Sequence, residues 1–179
     1  MRFPLSAFVL ASLSLVAFGA HAKVTCATSQ MDDKTRCETD FDKVRGGILA
    51  PVYGVSVAGD TVMFSFIQST MPNPAHSETL YIRIDGGELH RFDAVYRNSV
   101  SCGGMTGCIW TNTYVAMIPA ALLYEMAAGH EVRIATRTSS DGALMKPESF
   151  ARWLSELAAK GITPPRDGTL PVAGVGPGA

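Results

Sequence analysis

The stretch VYGVSVAGDTVMFSFIQ, residues 52–68, decides the fold class of this chain. Apolar and polar side chains alternate along it, so that Val62, Phe64 and Phe66 share one face of an extended strand. Gly59 interrupts the alternation, and glycine readily adopts the positive φ that a tight turn needs. The stretch therefore predicts a β-hairpin that turns at Gly59 and has one buried and one solvated face.

The same alternation recurs through the rest of the chain. Turn sequences at residues 85–87 and 140–142 contain glycine and separate further β-rich runs. Strands are predicted in four more segments: 79–84, 88–96, 109–117 and 131–138. A period of two over so many short segments favours a mainly β, antiparallel β-sandwich.

Two helices are predicted among these strands. A short helix begins at Pro119 and ends before Gly129, since proline suits the first turn and glycine the end. A second, C-terminal helix spans 147–160. Its apolar residues are spaced as on one helical stripe, which predicts packing on a sheet: Phe150, Trp153, Leu154 and Leu157.

The remaining segments predict loops and termini. Residues 30–46 are charged and are expected to lack strands, and residues 69–77 contain two prolines that exclude regular structure. Residues 162–179 are rich in proline and glycine and predict a disordered tail. Residues 23–161 are expected to form one domain.

The first 22 residues resemble a secretory signal peptide. Arg2 precedes an apolar run over 5–18, and Ala20-His21-Ala22 provides a small-x-small cleavage site before Lys23. The run is too short for a comfortable membrane span, so cleavage rather than anchoring is expected. The mature chain is thus predicted to be periplasmic or secreted, with no membrane span.

The charge of the chain argues against nucleic-acid binding. Loss of Arg2 with the signal peptide leaves 14 basic and 16 acidic residues in the mature chain. Neither this balance nor any long basic run favours an anionic polymer or membrane surface.

Four cysteines follow the cleavage site, and an even number in an exported chain predicts two disulfides. Three connectivities are possible. Cys26–Cys37 and Cys102–Cys108 are favoured because each closes a short loop. Five residues separate the second pair, unlike the two of a redox dithiol, and the spacing does not fit a zinc site. No metal and no cofactor are expected.

Other candidate sites carry weaker signals. Glu38, Asp40 and Asp42 alternate as calcium ligands would, but the glycine and glutamate of a calcium-binding loop are missing, so a solvated acidic loop is predicted. The histidines of the mature chain, His76, His90 and His130, form no metal-binding pair. No motif for a catalytic nucleophile occurs.

Three arginines offer the best candidate for ligand binding. Arg83, Arg133 and Arg137, together with Tyr81, occupy the polar positions of two predicted strands. If the strands are adjacent, these four residues form a surface suited to carboxylate or phosphate groups, here called the arginine face. The alternative is an ordinary solvated surface on which arginines pair with nearby acids.

The C-terminal half resembles a known family in the order of its features. A cysteine and a short glycine loop precede Gly107-Cys108 and a strand. A helix around Leu122-Leu123 and then Gly129 follow, before the strand at 132–134. Ser149-Phe150 stands at the start of the last helix. This order is similar to that of the invasion-associated locus B family of exported bacterial proteins. The resemblance implies a β-sandwich with a C-terminal helix, no known enzymatic activity and an early cysteine pair, which Cys26 and Cys37 match.

These observations predict a non-catalytic exported protein that binds a partner protein or a component of the bacterial cell envelope. Sheet edges and the loop at 69–77 are the expected contact surfaces. Two alternatives remain open at this point. One is a periplasmic carrier of a small ligand, bound on the arginine face or between sheets. The other is a hydrolase whose catalytic residues are scattered along the chain.

Overall fold

The computed structural model describes residues 23–28, 30, 34–44, 50–71, 77–103, 107–138 and 142–166. The predicted signal peptide at 1–22 and residues 167–179 of the predicted tail lie outside the described residues. The described part of the chain contains no helix that is long and apolar enough to span a bilayer.

Ten strands and two helices make up the described residues. In chain order they are β1 (Val24–Thr28), β2 (Thr35–Thr39), β3 (Asp42–Lys43), β4 (Val52–Ala58), β5 (Thr61–Thr70), β6 (Thr79–Ile84), β7 (Leu89–Gly103), β8 (Gly107–Ile118), α1 (Ala120–Ala128), β9 (Val132–Ala135), β10 (Ala143–Met145) and α2 (Pro147–Ala159). The strands pair in the order β1-β2-β4-β5-β8-β7-β6-β9-β10, with β3 also on β4, and every pairing is antiparallel. The prediction of a mainly β, antiparallel fold with two helices is confirmed.

The long strand β7 joins the two halves of this curled sheet. Its first residues, Leu89–Asp93, pair with β6, whereas Ala94–Gly103 pair with β8. Hydrogen bonds therefore run in one path from β1 to β10. The division into two facing sheets that defines a sandwich stays a prediction.

Helix α2 covers the inner face of the sheet. Its residues Phe150 and Trp153 are fully buried, and both rings lie within 5.6 Å of the Tyr53 ring, measured between centroids. The Phe64 ring of β5 lies 6.5 Å from that of Phe150. The predicted apolar stripe of the C-terminal helix thus packs on the sheet as expected, with Leu157 also buried.

The segment at 30–46 differs from its prediction, because β2 and β3 lie within it. In β2 the charged residues Arg36 and Glu38 are exposed, while Cys37 between them is buried against the core. Because the outward residues are charged, the sequence of this short segment does not indicate a strand. Pairing with β1 on one side and β4 on the other stabilises the strand, a tertiary effect that local composition does not reveal.

Two residues of the predicted tail, Pro164 and Arg166, contact Tyr124 of α1. Pro164 is buried, and its carbonyl accepts a hydrogen bond of 2.9 Å from the Tyr124 hydroxyl. The Arg166 guanidinium lies 4.8 Å from the centre of the same ring. The described chain therefore remains attached to the domain as far as residue 166.

Candidate functional site

Alternation along the strands gives the sheet an inner face, packed on the core, and an outer face. Phe64, Tyr114 and Ala94 are buried on the inner face, so their chain neighbours point outward. The same parity holds along β6 and β7, where Leu80, Ile82 and Phe92 are the buried residues. Two surfaces of the outer face are candidate binding sites.

The structure brings the four residues of the arginine face together. Strand β6 pairs with β9, which places Arg83 directly opposite Arg133 and Tyr81 opposite Ala135. Arg137 follows β9. All four residues line one open depression, whose wall also includes Leu89, Ile134, Thr138 and Gly142.

One of these arginines is held by a neighbouring acid. The Arg133 Nε donates a hydrogen bond of 2.6 Å to Glu131 Oε1, and this bond lowers the pKa of the Glu131 carboxyl. The backbone amide of Glu131 in turn donates to Asp85 Oδ1 at 2.7 Å, and that of His130 at 2.8 Å. These two bonds lower the pKa of Asp85 and fix the start of β9 beside the turn after β6.

A second feature of the outer face is an apolar patch formed by Phe41, Met63, Val95, Val115 and Met117. Met63 pairs with Met117 across β5 and β8, and Val115 pairs with Val95 across β8 and β7. Val95 is 63% exposed and Met117 42% exposed. At a strand separation of about 4.8 Å, the patch spans four strands and roughly 15 Å.

Phe41 completes this patch by lying over a glycine of β4. A Cβ atom at Gly54 would approach the Phe41 ring to 3.1 Å, so glycine permits this close packing. Phe41 is 54% exposed and borders an open depression that Ser56 and Ser65 also line. The surface of the patch is therefore concave beside Phe41.

A cluster that the sequence analysis missed surrounds Asp42. The carboxylate accepts hydrogen bonds from the Ser149 hydroxyl, from Lys146 Nζ at 3.0 Å and from Arg152 Nη2 at 3.3 Å. Burial raises the pKa of the Asp42 carboxyl, but the bonds from Ser149, Lys146 and the Lys43 amide outweigh burial and hold the pKa below its ordinary value. The prediction of a solvated acidic loop is wrong for Asp42.

The Asp42 cluster anchors α2 and does not offer an exposed nucleophile. Ser149 is fully buried at the first turn of α2, and its hydroxyl is committed to the carboxylate. The Tyr53 hydroxyl adds to the anchor by accepting a bond of 2.9 Å from the Lys146 amide. Asp42 and Ser149 lie 107 residues apart in the chain, so no local motif could have revealed the contact.

A polar network also lies inside the sheet, near the far end of β7 and β8. The Oδ1 atom of the fully buried Asn112 accepts bonds of 2.7 Å from the Tyr96 hydroxyl and from Asn98 Nδ2. A buried amide stabilises the fold only when it is hydrogen-bonded, and these contacts meet that need. The hydrogen bonds of this network are therefore explained by the need to satisfy the buried Asn112 amide.

Both predicted disulfides are present, each between directly paired residues of neighbouring strands. Cys26–Cys37 joins β1 to β2 and Cys102–Cys108 joins β7 to β8, with S–S distances of 2.03 Å. Cys37 is buried, whereas Cys102 and Cys108 are exposed near the end of their hairpin. The described residues contain no further cysteine.

The remaining predicted candidates are separated in space. His90 stacks on Phe92 at a centroid distance of 6.5 Å, and His130 follows α1. His76 and most of the loop at 69–77 lie outside the described residues. Within the part of the chain that the structure describes, no three acids, histidines or cysteines gather as metal ligands would.

Comparison of this chain with protein-family models, with curated proteins and with solved structures finds no match. The resemblance to the invasion-associated locus B family thus rests on the order of sequence features and stays a prediction. Any function must be argued from the two outer surfaces described above.

Proposed function

We propose that this chain is an exported, non-catalytic protein that binds a partner protein through its apolar patch. The observation that carries the proposal is the group of five adjoining apolar side chains on the outer face of the sheet. Neither helix is needed to explain their positions, since α2 packs on the opposite face.

The composition of the patch and its border suits a protein interface. Adjoining exposed apolar side chains that are rimmed by polar residues are typical of surfaces that dock another protein. Glu38 of β2 lies opposite Ser56 at one side of the patch, and Arg97 of β7 follows Val95 at the other. These charges at the rim would orient a partner, while burial of the patch would provide affinity.

The energetics point in the same direction. Burial of apolar surface contributes about 25 cal/mol per Å², so the part of these side chains that stays exposed would stabilise a complex when a partner covers it. Val95 remains 63% exposed and Met117 42% exposed in the folded chain. A partner side chain inserted beside Phe41 would anchor the contact at the β4 side of the patch.

Export is the second part of the proposal. The signal-like segment at 1–22 and the two disulfides of the domain both support an oxidising compartment, either periplasmic or extracellular. The hydrolase alternative requires a histidine ring bonded to a carboxylate and a hydroxyl. Neither His90 nor His130 is placed in this way among the described residues, so nothing observed there favours hydrolysis.

Photo-crosslinking tests the proposed surface in the cells that produce the protein. A photoreactive amino acid replaces Val95 in one variant and Val100 in a matched control. Both valines are on β7 and at least half exposed, at 63% and 50%, but alternation places Val100 on the opposite face. We expect one discrete protein adduct from position 95, none from position 100, and loss of the adduct when Met117→Asp is added.

Adducts of equal yield at both positions, or an adduct at position 100 alone, would contradict the assignment of the outer face. Native mass spectrometry of the purified protein provides a second measurement. A defined complex that dissociates with Met117→Asp would support the proposal. A monomer at every concentration and no adduct at position 95 would overturn it.

A further inference from the structure

We propose that the depression on the arginine face is a second binding site, which takes the phosphate group of a small organic molecule. The site lies on β6 and β9, whereas the apolar patch lies on β4, β5, β8 and the middle of β7. The inference therefore does not depend on the proposed protein interface.

The first argument is the register of the two strands. Arg83 and Arg133 occupy directly opposite positions on β6 and β9, and like charges opposite each other destabilise an antiparallel pair. Side chains at such positions have Cβ atoms about 4.5–5.5 Å apart. An oxyanion between the two guanidinium groups turns this repulsion into two attractive, charge-assisted contacts.

The second argument is the placement of acids. Glu131 bonds to Nε of Arg133, which orients that guanidinium and leaves the Glu131 carboxylate outside the lining of the depression. Arg83 is exposed, and the described residues provide no carboxylate partner for it. The described lining includes three arginines and no acid, so among the described residues its charged groups are all cationic.

The third argument distinguishes phosphate from carboxylate. The arginines come from three places in the chain: β6, β9 and the segment after β9. A planar carboxylate is satisfied by one or two guanidinium forks, whereas a tetrahedral phosphate presents acceptor oxygens in several directions. Tyr81 and Leu89 add an aromatic and an apolar wall, which suit the organic part of a phosphate ester.

Isothermal titration calorimetry with inorganic phosphate and with phenyl phosphate tests this site. We expect the wild-type protein to bind both, and phenyl phosphate more tightly because its ring contacts the apolar wall. Arg83→Gln should weaken phenyl phosphate binding about tenfold or more, as expected for loss of a charge-assisted hydrogen bond. Arg91→Gln is the matched control, since Arg91 lies opposite Tyr81 on β7 but outside the lining.

Arg83→Lys provides a second variant that keeps the charge and removes the planar fork. Its expected affinity lies between those of the wild-type protein and Arg83→Gln, because lysine cannot form the bidentate contact. Without ligand, Arg83→Lys should melt at the wild-type temperature and Arg83→Gln at the same or a higher temperature, because glutamine removes the like charge opposite Arg133. Equal weakening by Arg83→Gln and Arg91→Gln would indicate only a general charge effect and overturn the proposal, as would no binding by the wild-type protein at millimolar phosphate.

Discussion

Strands β5 and β8 carry apolar side chains on both faces, and the two faces have different explanations. Phe64 and Tyr114 point inward, are buried and contact other aromatic rings. Met63 and Met117 point outward from the same strands and meet across the sheet without a covering element in the described chain. The inward residues account for the stability of the fold, whereas the outward residues form the surface proposed to bind a partner.

The largest expected effect comes from the inner face. Phe64→Ala removes a fully buried ring from the cluster beneath α2 and should lower the free energy of unfolding by about 3–5 kcal/mol. Urea denaturation followed by tryptophan fluorescence measures the change, since Trp153 lies in the same cluster. A loss below about 1 kcal/mol would show that the inner face is not the core.

The two disulfides extend the comparison of buried with exposed positions, since both are the same covalent bond. Removing a bridge over loops this short should cost about 2–3 kcal/mol through the entropy of the unfolded chain. The double variant Cys26→Ser, Cys37→Ser should lose more than Cys102→Ser, Cys108→Ser, because it also places a hydroxyl at the buried position 37. Thermal melting of the two double variants measures the difference, and the opposite order would contradict it.

The next largest loss of stability is expected when the Asp42 cluster, which anchors α2, is disrupted. Asp42→Asn keeps the shape of the side chain and removes the charge that binds Lys146 and Arg152, so a loss of about 1–3 kcal/mol is expected at pH 7. Asp60→Asn is a suitable control because Asp60 is exposed and outside the cluster. Urea denaturation of both variants provides the measurement, and equal losses would indicate a general charge effect.

The same anchor predicts how stability depends on pH. The pKa of Asp42 is lowered in the folded protein, so the charged carboxylate stabilises the fold above the ordinary pKa of 3.8. This contribution should disappear as the pH falls from 3.8 through the folded pKa. Denaturation midpoints of the wild-type protein and Asp42→Asn should therefore differ at pH 7, and the difference should shrink as the pH falls below 3.8. A constant difference would refute the assignment of the lowered pKa to this group.

The smallest effect on stability is expected on the outer face. Met117→Ser and Val95→Ser should change the free energy of unfolding by less than about 0.5 kcal/mol each, because both side chains are exposed in the folded chain. Thermal melting checks this. A loss of 2 kcal/mol or more would place these residues in the core and remove the basis of the proposed interface.

Much of the fold could be predicted from patterns of period two and 3.6. The hairpin at 52–68 and the stripe of α2 follow such patterns closely, because each buries one face against a single neighbour. Strand β2 could not be found in this way, since its outward arginine and glutamate dominate a five-residue segment. Only pairing with β1 and β4 reveals it.

Some of the candidate sites could also be predicted from the sequence and others could not. The arginine face could be predicted because its residues occupy the polar positions of regular strands, and the register of β6 and β9 then brought them together. Part of the apolar patch could be predicted, because Val115 and Met117 alternate along one strand. The whole patch could not, because it depends on the register in which β7 pairs with β8. The contact of Asp42 with α2 depends on tertiary structure alone.

Strand β7 also sets a distance between the two outer surfaces. Leu89 lines the depression on the arginine face and Val95 belongs to the apolar patch, both pointing outward from the same strand. Six residues of extended chain measure about 20 Å, whereas a standard protein footprint of about 800 Å² is roughly 30 Å across. A footprint centred on Val95 would therefore stop short of the depression, whereas one centred midway between Leu89 and Val95 would cover both. An anionic group on a partner in the second position would bind at a high effective concentration, as the second arm of a bivalent contact.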